Sequence, residues 1–449
     1  MKTRLIIFTA LTLFISCVTP KEKREEANSL YEDGKIEEAL IAINKAIELE
    51  PDSIGNYAIR IFIYDATGKY EEEIADLTKI IELNKNSKSL NAHHQRAVAQ
   101  IQLGLYNEAL LDIDYFIENR DTVGNLAEAY LNKASILYKL NDFQKAREFY
   151  TLTIKENNGK EKAIESQALV GLANLSKTPK EALKILDKAI QIDENNYLAY
   201  GARSVLYMDD LGKIDEAFDD LKTAIAINPD DAILNFNMGQ LFANYTDDLD
   251  SAVAYFEKAI NLSPQSPNNG EIYMNLAVMH QRTGNLEKAI ADIKKAESIT
   301  PENDLLLYNY SMMLSDLGDS KEALSKISKA IDINPDDAEY FNLKGSILLD
   351  LSSFDEAESA FKNAIRLNPK YGTAFYNLGY LLGELNDHKQ SIIYYDKAVT
   401  LNFDLESTLV NRALQKMKIN KTSEACVDLK RAYKLGRTDI KPLIDERCN

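Results

Sequence analysis

Apolar residues along most of the chain recur with the three-and-four spacing of an amphipathic α-helix, and one position in that pattern is repeatedly small. The segment from Gly34 to Asp52, GKIEEALIAINKAIELEPD, has Ala39 and Ala46 on the apolar side, where a helix core usually holds Leu or Ile. Residues at this spacing share one helix face, so the segment predicts a helix with a narrow buried face. A narrow face lets a second helix approach closely.

The small position recurs along the chain at intervals of 34 to 37 residues. We call its members the anchor positions: Ala39, Glu73, Ala109, Ala146, Ala182, Ala217, Ala252, Ala289, Ala323, Ala357, Ser391 and Ala425. A second, mostly small residue follows seven residues later, for example Ala364, and a small residue often precedes the anchor by twelve, for example Gly345. Self-similarity at this period indicates a solenoid of stacked repeats.

Turn residues divide each repeat into two helices. Gly or Asn, which adopt left-handed backbone conformations cheaply, stand in the middle of most repeats, as at Gly34 and Asn386. Proline, often followed by Asp, closes the second helix, as in the segment NPDDA that begins at Asn334. The pattern predicts helix, turn, helix throughout, without strands, and a shortened first helix around Gly171 in the fifth repeat.

Small residues at these offsets, with an aromatic residue or Leu four residues after the anchor and a closing proline, resemble the tetratricopeptide repeat. The resemblance implies an all-α, right-handed α–α superhelix of about twelve repeats over residues 21–436, with residues 437–449 as a C-terminal capping helix. It also implies that the first helices line a concave face and that the protein binds other proteins there.

The N-terminal segment has the pattern of an export signal. Lys2 and Arg4 precede an apolar run from Leu5 to Ile15, which is too short to span a bilayer as a stable helix. The following LFISC resembles a bacterial lipobox, which implies a signal peptide over residues 1–16, a lipid anchor on Cys17 and a short tether over residues 17–20. We therefore expect a membrane-anchored lipoprotein of the cell envelope. A plain secretory signal or a degenerate anchor stays open.

Charge argues against one class of partner. The chain has 52 Lys and Arg against 70 Asp and Glu, and removal of residues 1–16, with Lys2 and Arg4, changes the net charge from −18 to −20. A chain this acidic repels phosphate backbones, so we expect no nucleic-acid partner.

The two C-terminal cysteines, Cys426 and Cys448, fall at matching distances from the turn between two predicted helices. Antiparallel packing would bring them level, so a disulfide is predicted, worth roughly 3 kcal/mol in the chain-entropy account. Two independent buried thiols are the alternative.

Candidate catalytic chemistry is sparse. The four histidines, His93, His94, His280 and His388, have no Cys or carboxylate partner at metal-ligand spacing, and no phosphate-binding loop or nucleophile motif occurs. We therefore predict no enzyme activity, no metal and no cofactor.

The implied concave face supplies the candidate site instead. Residues beside the packing series form an apolar and aromatic stripe, with Gln240, Gln281, Asn342 and Ser346 between them. The predicted peptide-binding groove residues are Phe236, Met274, Tyr308, Met312, Tyr376, Tyr380 and Met417. Such a stripe suits an extended peptide, because aromatic rings supply contact area and amides fix the backbone register. The alternative is that these side chains only pack against neighbouring helices.

The predicted function is a non-catalytic scaffold for proteins in the envelope. Some tetratricopeptide domains hold a C-terminal carboxylate with Lys, Asn and Arg; here Arg24 and Asn28 match, whereas Ile59, Asn91 and Gln95 do not. A carbohydrate- or nutrient-binding lipoprotein, or an accessory subunit of an envelope enzyme or assembly complex, are the alternatives. The chain has no Trp and no long insertion for a sugar platform.

Overall fold

A computed structural model describes residues 19–84, 89–119 and 125–448. Within these ranges the chain forms α-helices, one short 3₁₀ helix and turns, with no strand, which confirms the predicted all-α fold. The signal segment and Cys17 lie outside the described residues. The chain divides at Pro229 into two units, and each is a succession of paired helices.

Unit 1 contains six helix pairs. Their bounds are α1 Pro20–Glu32, α2 Ile36–Leu49, α3 Ile54–Ala66, α4 Tyr70–Leu83, α5 Leu90–Gln102, α6 Tyr106–Asn119, α7 Leu126–Lys139, α8 Phe143–Asn157, α9 Lys162–Asn174, α10 Pro179–Ile192, α11 Tyr197–Asp209 and α12 Ile214–Ile227.

Unit 2 contains six further pairs and a terminal segment. Their bounds are α13 Ala232–Tyr245, α14 Leu249–Leu262, α15 Asn269–Arg282, α16 Leu286–Ile299, α17 Asp304–Asp316, α18 Ser320–Ile333, α19 Ala338–Asp350, α20 Phe354–Leu367, α21 Gly372–Glu384, α22 His388–Thr400, α23 Leu405–Lys418, α24 Thr422–Leu435, the 3₁₀ helix Thr438–Ile440 and α25 Lys441–Arg447. In both units the odd-numbered helix of a pair is the first helix and the even-numbered one the second.

Helix ends follow the turn chemistry. Gly34 and Asn386 have φ values of 75° and 64°, so each ends a first helix in the left-handed region. Helix α20 ends at Leu367, two residues before Pro369, and the side chain of Asp337 caps α19 by accepting a hydrogen bond from the backbone N–H of Glu339.

The expected shortening near Gly171 is wrong. Helix α9 has 13 residues, as α1 does, and Gly171 lies inside it. A side-chain carbon at Gly171 would collide with the ring of Tyr150. Glycine at this position therefore makes room for an aromatic ring and does not end the helix.

Close helix packing forms the core of each repeat. In the tenth repeat Ala357 and Ala364 are fully buried, and a Cβ at Gly345 would lie 2.5 Å from Cε1 of Phe361. The ring on α20 therefore occupies the space that a larger residue on α19 would need. The small residues at the anchors let the two helices of a repeat interlock.

The C-terminal segment is joined covalently to the last repeat. Cys426 on α24 forms a disulfide with Cys448, the residue after α25, with Cα atoms 5.4 Å apart. Among the described residues, no helix is both long enough and apolar enough to span a bilayer.

Candidate functional site

The first helices of unit 2 lie side by side. Helix α15 contacts α17, α17 contacts α19, α19 contacts α21, and α21 contacts α23. Amide side chains join neighbours in this row: Nδ2 of Asn377 donates to Oδ1 of Asn342 at 3.0 Å, and Nδ2 of Asn411 donates to the Tyr376 hydroxyl at 2.8 Å. Arg282 links α15 to α13 by donating from Nη1 to the carbonyl oxygen of Ala243 at 2.9 Å. We call the surface of α13, α15, α17, α19, α21 and α23 the first-helix face.

The predicted groove residues all belong to these helices but differ in exposure. Tyr380 is 44% exposed, whereas Met274 is only 9% exposed and belongs to a buried cluster with Tyr310. The remaining five are partly buried: Phe236, Tyr308, Met312, Tyr376 and Met417. Met274 therefore offers little surface to a ligand, and Tyr380 offers the most.

Aromatic neighbours hold several of these rings in place. The Tyr308 ring stacks on Tyr340 of the next first helix, with centroids 5.1 Å apart. Tyr376 contacts Phe403 at 5.6 Å between centroids. These rings pack against other residues and also keep part of their surface exposed. They are therefore consistent both with peptide binding and with packing between helices.

The hydroxyls of Tyr308 and Tyr376 stay protonated near neutral pH. Burial, followed by the negative charge of Glu339, raises the pKa of Tyr308 to about 12. Burial also raises the pKa of Tyr376, with Asp404 as the next cause. Each hydroxyl can therefore donate a hydrogen bond.

Several exposed apolar side chains of the face are not among the predicted groove residues. Ile233, Leu305 and Leu414 are 66%, 47% and 40% exposed. Leu414 follows Tyr380 by 34 residues and Met312 precedes Tyr380 by 68, so these residues share one position in the repeat. The repeat period was the signal that could have identified Leu414.

An ion-pair arrangement that recurs between first and second helices was also missed. Arg412 on α23 donates from Nε to Oδ2 of Asp428 at 2.9 Å and from Nη1 to Oδ1 of Asp396 at 2.7 Å. The guanidinium thus joins its own second helix to the preceding second helix. The pair with the Asp of the same repeat recurs in other repeats as Arg60–Asp76, Arg96–Asp112 and Arg203–Asp220. An Arg followed 16 or 17 residues later by Asp was the available signal.

Two histidines do have carboxylate partners, which the sequence spacing did not indicate. His93 Nδ1 lies 2.7 Å from Oδ1 of Asp112, and His280 Nδ1 lies 2.9 Å from Oδ2 of Asp292. In each case the carboxylate comes from the second helix of the same repeat, so only folding brings the pair together. Within the described residues, no group of three His, Cys, Asp or Glu could hold a metal ion.

Arg24, the first candidate of the carboxylate-binding set, makes contacts inside the protein. Its Nη1 donates to Oδ1 of Asn56 at 3.0 Å and to Oγ of Ser53 at 3.1 Å, and lies 3.5 Å from Oε2 of Glu50. These contacts tie the first repeat to the second. They leave the guanidinium occupied with structural partners.

Sequence models described as tetratricopeptide or TPR repeats match residues 127–158, 210–244, 232–266, 270–303, 311–361 and 342–402. A TPR repeat-containing protein of Methanocaldococcus jannaschii is 29% identical over 59% of this chain and 47% of its own length. Hsp70-Hsp90 organizing protein 3 of Arabidopsis thaliana is 28% identical over 46% of this chain and 36% of its own length. The chain thus spans less than half the length of these relatives.

Solved structures with a similar helical arrangement include Cut9 with Hcn1 from the APC/C hetero-tetramer, with 16% identity, a TM-score of 0.48 and coverage of 96% of this chain and 97% of that chain. Yeast Tom70 has 18% identity and a TM-score of 0.40, with coverage of 94% and 93%.

Proposed function

The chain is a tetratricopeptide repeat protein, and from this premise we propose that it is a non-catalytic scaffold that binds a protein segment on the first-helix face of unit 2. The observation that carries the proposal is the row of partly exposed apolar and aromatic residues on adjacent first helices. Tyr380 and Leu414, on the neighbouring helices α21 and α23, share one repeat position in this row and are 44% and 40% exposed.

An extended segment suits this surface for a physical reason. The row runs across successive helices, so a ligand that follows it contacts the same repeat position again and again. Aromatic and aliphatic side chains provide most of the binding energy of such contacts, and partly exposed amides beside them, such as Asn377, can hydrogen-bond to a peptide backbone. The name of the Arabidopsis relative describes a protein that organizes two others, in line with a scaffold role.

The proposed location is the cell envelope, with a lipid on Cys17. The LFISC segment supports this, and so does the Cys426–Cys448 disulfide, because disulfides persist in oxidising compartments. Helix α1 begins at Pro20, so the tether from Cys17 spans roughly 10 Å at full extension. The first repeat would then lie beside the membrane. Cys17→Ser should move the protein from the membrane fraction to the soluble fraction, and a variant that stays membrane-bound would refute the anchor.

Affinity capture tests the binding face. Full-length protein would be used to capture partners from a detergent extract of the envelope, beside the double variant Tyr380→Ala/Leu414→Ala. The matched control is Ile393→Ala/Val427→Ala, which removes apolar side chains that are 50% and 67% exposed on the second helices α22 and α24. We expect the first variant to lose partners that the wild type and the control retain. An identical set of partners for all three proteins would reject the first-helix face as the binding site.

A further inference from the structure

Three carboxylates end three successive first helices of unit 2. Asp316 is the last residue of α17, Asp350 of α19 and Glu384 of α21. They are 34 residues apart, and all three are exposed. Because α17 contacts α19 and α19 contacts α21, the carboxylates form a row along one edge of the first-helix face. We call them the acidic row.

The acidic row lies directly beside the apolar stripe. Asp316 follows Met312 and Glu384 follows Tyr380 by four residues, and Asp350 follows the polar Ser346, which holds the same repeat position, by four. Residues four apart share one side of a helix. The electrostatic surroundings of Tyr395 agree, because burial and then the charges of Tyr376, Tyr380 and Glu384 raise the pKa of its hydroxyl. A ligand on the stripe would therefore also meet the carboxylates.

The position of these carboxylates is unfavourable for the helices themselves. The C-terminal end of a helix carries partial negative charge, so an acidic residue there destabilises the helix. Among the described ion pairs, none brings a Lys or Arg to Asp316, Asp350 or Glu384. Gln281 donates from Nε2 to Oδ2 of Asp316 at 2.7 Å, which fixes the carboxylate and leaves its charge uncompensated. The negative charge of the row is thus available to a ligand.

The row has defined limits. The preceding first helix, α15, ends in Arg282, and the following one, α23, has Lys418 as its last residue. Cations at both ends restrict the acidic stretch to three helices. A ligand that matches it needs three positive charges, and a longer basic run would meet Arg282 or Lys418.

We propose that the first-helix face binds an extended segment of a partner protein with Lys or Arg at every third residue and apolar residues between them. This inference rests on the proposed function and specifies its ligand. Packed helices lie about 8–10 Å apart. An extended chain in the polyproline II conformation advances about 3.1 Å per residue, so three residues cover about 9 Å and bring every third side chain to the same side. The formal charge of −18 on the chain also attracts a cationic segment.

Synthetic peptides test the ligand class with the full-length protein. The probe is a fluorescent peptide with three lysines at every third position and leucine and serine between them. One control peptide has glutamate in place of lysine, and the other has the same composition with the lysines consecutive. Binding is measured by fluorescence anisotropy at low and high salt. We expect the spaced lysine peptide to bind more tightly than either control and to weaken as salt rises. Equal binding of all three peptides would overturn the inference.

Charge removal at the row tests the site. The variant is Asp316→Asn/Asp350→Asn/Glu384→Gln, and the control Glu287→Gln/Asp332→Asn/Glu356→Gln removes three exposed carboxylates from the second helices α16, α18 and α20. We expect the first variant to bind the spaced lysine peptide about tenfold more weakly or worse, since it removes all three charge pairs at once. The control should bind like the wild type. Equal losses in both variants would show non-specific attraction and reject the row.

The two proposals fail in different ways. If Tyr380→Ala/Leu414→Ala abolishes partner capture while the acidic-row variant binds the lysine peptide like the wild type, the face binds proteins and the basic specificity is wrong. If neither variant changes capture or peptide binding, both proposals are wrong. Circular dichroism of every variant checks that the helices are retained.

Discussion

The second and tenth repeats are built from the same pair of helices, but the residues where the two helices come closest differ in size and charge. In the tenth repeat Gly345 on α19 faces Phe361 on α20, and the anchor is Ala357. In the second repeat the residue equivalent to Gly345 is Ile61, and the anchor is Glu73. Ile61 and Glu73 are only 6% and 5% exposed, so neither escapes to the surface.

This difference shows that the anchor position requires a fit with its neighbours and not alanine as such. Glu73 is accommodated at an electrostatic cost: its Oε2 is buried, and no hydrogen-bond partner for it lies among the described residues. Burial, followed by the charge of Asp65, raises the pKa of Glu73 to about 7. The second repeat therefore holds a buried carboxyl group whose neutral form is stabilised by its surroundings. The tenth repeat has no room for such a group.

The most disruptive change would move this carboxyl into the tight repeat. Ala357→Glu puts a charged side chain where Ala357 is fully buried, so we expect unit 2 to lose about 3 kcal/mol or more. Urea unfolding followed by circular dichroism measures the loss. A stability close to that of the wild type would show that α19 and α20 can separate as α3 and α4 do.

The next largest effect is a dependence of stability on pH in the second repeat. The pKa of Glu73 is raised to about 7 in the folded protein from an ordinary value of 4.5, so the folded state holds more protons between these values. Stability should therefore fall as pH rises from about 4.5 to about 7, by up to about 3 kcal/mol. Hydrogen exchange of α4 amides measures this, and Glu73→Gln should remove the dependence. An unchanged pH profile in that variant would assign it to another group.

Gly345→Ala adds one carbon at the tight contact. The new Cβ would lie 2.5 Å from Phe361, so the ring or the helix must shift, and we expect a loss of about 1–3 kcal/mol. Thermal unfolding of the variant measures the cost. In the second repeat Ile61→Val should cost less, about 0.5–1.5 kcal/mol, because it removes a methylene from a site already built for a large residue. Equal or reversed costs would contradict the difference in packing.

The smallest effect concerns the polar anchor of the eleventh repeat. Ser391 is fully buried, and its Oγ donates to the carbonyl oxygen of Gly379 at 2.6 Å. Ser391→Ala removes this hydrogen bond but restores the usual anchor residue, so we expect a loss of about 1 kcal/mol or less. Chemical denaturation measures the change. A loss as large as that of Ala357→Glu would mean that the hydrogen bond of the hydroxyl, and not the small size of the side chain, is what the anchor position requires of Ser391.

Sequence periodicity predicted the helix pairs because burial, turn chemistry and proline all repeat with the same period. Ala39 and Ala425, at opposite ends of the series, are both fully buried. The same series contained Glu73 without revealing its environment, because a carboxylate in a sequence looks the same whether it is buried or exposed. Its raised pKa depends on the residues that fold around it.

The candidate site was less predictable than the fold. Register placed Met274 and Tyr380 in the same stripe, but exposure separates them, since Met274 packs into a buried cluster and Tyr380 does not. The Arg412–Asp428 pair and its equivalents also escaped the sequence interpretation, because helix pairing brings their members together from positions 16 or 17 residues apart. Periodicity identifies a helix face, but neighbouring helices decide how much of it remains exposed.

The covalent link between Cys426 and Cys448 bears on how the array comes apart. A terminal repeat has one neighbour where an internal repeat has two, so unravelling of a solenoid starts at its ends. The bridge joins two residues 22 positions apart and ties α24 to the final segment. Reduction of the disulfide would release the segment after α24 from that helix and make it accessible to proteases. The lifetime of the protein should therefore depend on the thiol chemistry of its surroundings.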